Sequence, residues 1–173
     1  MPIIEPQVSD GANGPTARTM ESFRRLSGGD TVFPQILAHV PAYAEAIWGA
    51  MAEALFEGGV DHRLKELIRI QLATFANDPY FSTMRSAEAV QAGLTEEDVT
   101  ASLGDFQTSP RFTEAEKWAL RYSYLMYRHP DQVNADFYNE GKQHYSEAQI
   151  MEMGGLIAIH YGLAVFMSTL NVD

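Results

Sequence analysis

Four residues of this chain carry proton-transfer or charge chemistry at spacings a helical fold can use: Glu66, Asp78, Arg85 and His160. Glu66 stands in KELIRIQLA, one helical turn from Arg63 and Arg69. It reads either as a surface glutamate paired with an arginine three residues away or as a partly buried carboxyl of raised pKa, suited to general acid/base work. Asp78 precedes Pro79 and reads as a helix N-cap. The same physics lets a helix start stabilise a working carboxylate. Arg85 cannot move protons near neutral pH, but it can hold a carboxylate through two hydrogen bonds. Its plainer alternatives are an ion pair with Glu88 or Glu66, or solvent exposure. His160, in LIAIHYGLAVF, is either a hydrogen-bonded core histidine or an auxiliary proton donor beside Tyr161. Glu66 beside Arg85 would join a proton-transfer group to an anion anchor, which fits an acidic or enolisable substrate and no oxidant.

The totals narrow the field. A chain of 173 residues, 46% hydrophobic and 20% charged, is about one domain with room for a real core. A formal net charge of −11 argues against nucleic acid and against an anionic membrane surface. With no cysteine in the chain, disulfides, thiolate catalysis and Cys-ligated zinc are excluded. The histidines at 39, 62, 129, 144 and 160 lack ligand spacing, so no metal is expected. No GxGxxG, GxxxxGK[ST] or GxSxG pattern occurs, so neither nucleotide binding nor serine hydrolysis is indicated and no cofactor is expected. The N-terminus lacks a basic start followed by an apolar core, and Gly154–Leu170 reads as a buried core helix rather than a span. These features together read as a soluble cytoplasmic protein.

The elements that must position these residues are all helical. Residues 1–18, rich in Pro, Gly and Asn near the start, read as an extended arm, and 19–173 as one helical domain. PAYAEAIWGAMAEALFEGG has apolar residues at helical spacing and stops at Gly58-Gly59. Asp61 caps a helix to about Ala76, with Leu64, Leu67, Ile68, Leu72 and Phe75 as its apolar stripe. Asn77-Asp78-Pro79 restarts the chain into a helix that runs to Ala92 and ends at Gly93. Three further starts, at Thr95–Asp98, Thr113–Glu116 and Ser146–Gln149, carry reciprocal capping patterns. No strand-like alternation of useful length is present. The pattern predicts an all-α fold of about seven or eight helices. GLTEEDVTASL and HYSEAQIMEMGGL echo one another, either as a doubled unit or as two coincident capping boxes.

Residues 62–94, with the AGLTEE continuation, resemble the active-site segment of the carboxymuconolactone decarboxylase/AhpD-like superfamily. The peroxidase branch carries a glutamate and, twelve residues later, Cys-x-x-Cys-x-x-x-His. Here that register falls on Glu66, Asp78, Phe81 and Arg85. Thiol peroxidase chemistry is therefore out of reach. The decarboxylase branch keeps a histidine where this chain has Arg85. The likeness spans roughly 30–172 and implies an AhpD-like helical fold, a small-molecule substrate and a homo-oligomer, trimer or hexamer. The expectation is a cofactor-free lyase, decarboxylase or isomerase acting on a small organic acid, lactone or enolisable carbonyl compound. Glu66 would be its acid/base, Arg85 its anion anchor, and His160 and Asp78 auxiliaries. Tyr80, Phe81, Met84, Tyr161 and Trp48 would form the pocket wall. The rival expectation is a non-catalytic homologue that kept the scaffold, marked by a buried Glu66–Arg85 ion pair without a cavity.

Overall fold

The structure of the chain, a computed structural model, describes residues 2–7 and 14–172. Among these residues there are ten α-helices and no strand. The helices are α1 Pro15–Ser27, α2 Val32–Leu37, α3 Pro41–Phe56, α4 His62–Phe75, α5 Pro79–Thr83, α6 Ala87–Gln91, α7 Glu96–Leu103, α8 Glu114–Arg128, α9 Ala135–Gly141 and α10 Glu147–Ser168. The surplus over seven or eight comes from short pieces, which periodicity detects poorly. α1 begins at Pro15 rather than Thr19, because proline fits the first helical turn, where its missing N–H is no loss. Of the expected arm, residues 2–7 lie on this same chain: the Ile3 N–H donates to Leu170 O at 2.9 Å and the Gln7 N–H to Gln35 O at 3.1 Å. Residues 8–13 fall outside the described residues.

α4 is the axis. Every residue from Leu64 to Ala73 is buried, and the helix packs against α10, α8, α5, α7, α6 and α3. The Asp61 side chain caps its start by accepting from the Leu64 N–H at 3.1 Å. Its end follows from residue type. Asn77 takes a left-handed φ of 53°, which asparagine tolerates better than most residues. The Asp78 N–H then turns back to Ala73 O at 2.9 Å and closes the helix. All three predicted capping boxes are formed, at Thr95–Asp98, Thr113–Glu116 and Ser146–Gln149. The echo between the last of these and the first stops there, since α7 has 8 residues and α10 has 22.

The helix expected from Pro79 to Ala92 is two, α5 and α6, broken at Met84-Arg85-Ser86. The break is tertiary in origin. Backbone groups that would continue the ladder are taken by two α4 side chains, Glu66 and Arg69.

α10 locks onto the α3–α4 turn. Glu152 accepts from the Gly59 N–H at 2.8 Å and the Val60 N–H at 3.2 Å, and it pairs with the buried Lys65 ammonium. Gly58 has φ 94°, and a Cβ there would lie 2.5 Å from the Glu152 carboxylate. On the opposite side, Trp118 stacks on Phe137 at 4.8 Å and donates its indole N–H to Phe137 O at 3.1 Å. Gly141 ends this packing, since a Cβ there would sit 2.2 Å from the Trp118 ring. The indole has no flexible end to retract, so Gly141→Ala is expected to cost about 1–3 kcal/mol, read by urea unfolding.

Candidate functional site

Glu66 and Arg69, one turn apart on α4, are both fully buried. The guanidinium meets the carboxylate through two bonds, Nε to Oε2 at 2.8 Å and Nη2 to Oε1 at 2.9 Å. It also donates to Phe81 O at 2.7 Å and Met84 O at 2.6 Å. Glu66 Oε1 accepts the Ser86 N–H at 2.9 Å, and the Ser86 hydroxyl is held by His62 at 2.8 Å. The pair thus draws both sides of the α5–α6 break onto α4. The arginine three residues away was legible as a partner. What the sequence did not disclose is that the pair lies in the interior.

Arg85 is not beside Glu66, a correction to the expected anchor. It lies in the break, turned outward, with its guanidinium on Glu96 at 2.9 and 3.2 Å and on Ser82 O at 2.6 Å. The continuous helix that would have aimed it inward does not exist.

Asp78 caps α5. One carboxylate oxygen accepts the Tyr80 N–H at 3.0 Å and the Phe81 N–H at 3.3 Å, while the other is buried without a partner. Burial pushes this carboxyl up to about 6, against the lowering pull of those two N–H groups and of Arg69. The residue borders a shallow hollow of about 390 Å³ shared with Thr74, Asn77, Pro79 and Ser82. His160 is fully buried on α10, with its ring edge-on to Phe81 at 5.1 Å. Neither ring nitrogen makes a hydrogen bond of acceptable geometry. Burial, then the charge of Arg69, hold its pKa well below the usual histidine range, so the ring is neutral. The Arg69 backbone lies close enough to the ring to oppose that shift, as a hydrogen-bonded core histidine would have it.

Phe81 joins these groups. It packs on Phe33 at 5.1 Å and Phe23 at 6.3 Å, and Trp48 stands behind both phenylalanines. Trp48 is therefore second-row core, with its indole N–H on Ser22. Tyr80 is buried and donates to Asp30 while accepting the Phe33 N–H at 3.1 Å. Met84 is half-buried against the core and gives its carbonyl to Arg69. Tyr161 is 40% exposed and packs on Tyr127 at 4.8 Å, on the outer side of α10. Residue chemistry alone did not mark out Phe23, Asp30, His62 or Ser86. They reach the site through tertiary contacts rather than helical spacing.

Residues 41–123 match the model described as "CMD: Carboxymuconolactone decarboxylase family". That segment is similar to the carboxymuconolactone decarboxylase family. Two solved structures share its whole architecture, each with a TM-score of 0.81 at 20% identity. One is the debrominase Bmp8 in its apo form, matched over 99% of this chain and 91% of that one. The other is a cysteine-to-alanine variant of Bmp8 in complex with 2,3,4-tribromopyrrole, matched over 99% and 90%. The search of curated proteins finds no match. The all-α, AhpD-like fold is thereby established.

Glu66→Gln leaves Arg69 buried and uncompensated and is expected to cost about 3–5 kcal/mol. Arg85→Ala, which breaks an ion pair open to solvent, should cost about 1 kcal/mol or less. Urea titration of both variants compares them directly.

Asp78 gives a pH signature. Its folded pKa lies above the unfolded value, so the folded state holds more protons between about pH 4 and 6, and its contribution to stability falls as pH rises through that window. Asn is as good an N-cap as Asp. Asp78→Asn should therefore match wild type near pH 4 and exceed it by roughly 1–3 kcal/mol above about pH 7. Thermal unfolding across that range reads the gap.

Proposed function

We propose that the chain is a cofactor-independent acid–base enzyme, a lyase, decarboxylase or isomerase, acting on a small organic acid, lactone or enolisable carbonyl compound. Asp78 is its proton-transfer group and His160 its auxiliary donor or acceptor. One observation carries this reading. Of the four buried side-chain polar atoms without a hydrogen-bond partner among the described residues, three belong to Asp78 and His160, and both residues touch Phe81. Buried polar atoms are ordinarily satisfied, and those that are not concentrate where chemistry is done. A carboxyl titrating near 6 exchanges protons close to neutral pH, as a general acid or base must. As carboxylate it removes a proton α to a carbonyl, and as acid it returns one. Glu66, occupied by Arg69 and Ser86, serves as the brace of the site rather than its base.

A second reading has its own support. Glu66 has no exposed surface and is fully paired, though with Arg69 rather than with Arg85, which supports a scaffold that has lost its chemistry.

Deuterium exchange from D2O into the α-carbon of small β-keto acids, ketones and lactones, followed by proton NMR, separates the two. Exchange by wild type that falls at least about 100-fold in Asp78→Asn supports the acid–base reading. Exchange indifferent to Asp78→Asn moves the chemistry elsewhere. No exchange with any member of the panel favours the scaffold.

A further inference from the structure

The hollow beside Asp78 is walled by Thr74, Asn77, Asp78, Pro79 and Ser82. Most hydrogen-bond donors on that wall are already occupied. The Asn77 N–H goes to Thr74 O at 3.1 Å, the Asp78 N–H to Ala73 O at 2.9 Å and the Ser82 N–H to Asp78 O at 3.2 Å. Pro79 has no N–H, and the Thr74 N–H lies inside α4. Both hydroxyls are turned to backbone as well, Thr74 to Ile70 O at 2.9 Å and Ser82 to Pro79 O at 3.3 Å. One group is left over. The Asn77 carboxamide, with two N–H donors, is exposed and makes no hydrogen bond to any described residue. No lysine or arginine lines the hollow, and the buried Arg69 guanidinium is held on Glu66, Phe81 and Met84.

The backbone adds to this. Among the described residues, Asn77 and Asn171 are the two non-glycine residues with positive φ. Glycine adopts that conformation more readily at a helix end. An asparagine there keeps the turn that closes α4 and sets a carboxamide next to Asp78, on the same wall.

We propose that Asn77 is the oxyanion donor of this site, and that the substrate is a neutral enolisable carbonyl compound, a ketone, ester or lactone, rather than a free carboxylate. The proposal rests on the acid–base reading of Asp78 and deepens it.

When the Asp78 carboxylate takes a proton from the α-carbon, the C–H electron pair becomes the C=C bond of an enolate. The carbonyl π pair moves onto oxygen, which becomes negative. The Asn77 N–H donates to that oxygen. The bond is stronger to the enolate than to the ketone, so it lowers the barrier more than it aids binding. Return of the proton from Asp78 to carbon restores the starting charges. A free carboxylate is disfavoured by charge, since the wall carries an acid and no cation, and the chain as a whole has a net charge of −11.

Two substitutions that tolerate the left-handed turn test this. Asn77→Gly removes the carboxamide, and Asn77→Asp keeps its shape while replacing donors with acceptors. Cyclohexanone serves as the exchange probe in D2O. The stable oxyanion para-nitrophenolate serves as the binding probe, read by its absorption. Both variants should lower kcat for exchange about 10- to 100-fold with KM little changed and helical circular dichroism intact. The loss is smaller than for an enclosed oxyanion hole, because this hollow is open to water. para-Nitrophenolate should bind wild type, more tightly Asp78→Asn, whose wall has lost its carboxylate, and at least about 10-fold more weakly Asn77→Gly. Exchange that falls in Asp78→Asn but not in Asn77→Gly overturns the proposal and leaves the acid–base reading intact. Binding that depends on Asn77 in a protein that exchanges nothing does the opposite, upholding the oxyanion donor while the acid–base reading falls. Phenolate bound equally by wild type and Asn77→Gly, or by neither, overturns the proposal. Exchange into levulinate in preference to cyclohexanone overturns the substrate class.

Discussion

The organisation of this molecule depends on a single buried ion pair. Glu66 and Arg69 neutralise each other inside α4, and the hydrogen-bonding capacity they have left is spent on backbone, namely the carbonyls of Phe81 and Met84 and the N–H of Ser86. Such a pair adds little net stability over an apolar substitute of the same shape. What it supplies is position. It stops α5 after five residues, starts α6 from Ser86, and sets Phe81 against Phe33 and His160. Aromatic packing then covers the inner side of the region, around Phe81 and His160. The consequence is a low-dielectric cluster of titratable groups in which each charge is either paired or shifted toward neutrality.

This division of labour explains why the carboxyl that resembles the family's acid/base and the carboxyl with the shifted pKa are different residues. Glu66 has its charge fully answered. Asp78 is answered on one oxygen only, by the two N–H groups of the helix it starts. Both lie within electrostatic reach of Arg69, yet only Glu66 has the guanidinium in direct contact.

Much of the fold was legible because it is written locally. Apolar spacing located α3, α4 and α10, and side-chain oxygens at Asp61, Asp78, Thr95, Thr113 and Ser146 marked true helix starts. The helix break at Met84–Ser86 was not legible, because it is imposed by groups fifteen to twenty residues away in sequence rather than by a glycine or proline at the break. The error then propagated, since a continuous helix would have turned Arg85 toward Glu66. Asp78 and His160 were both visible as candidates. Their unsatisfied atoms were not, because satisfaction is a property of neighbours and no spacing rule encodes it.

The clasp between α10 and the α3–α4 turn bears on the order in which this protein is made. Glu152 lies outside the segment that carries the family pattern, yet it satisfies two backbone N–H groups and the buried ammonium of Lys65 within that segment. A ribosome delivers residues 41–123 well before it delivers Glu152. Until then, Lys65 has no carboxylate to meet it in the interior, and the inner face of α4 lacks the helix that covers it. The part of the chain that carries the family likeness is thus a dependent one, its central helix completed by a residue from the last helix.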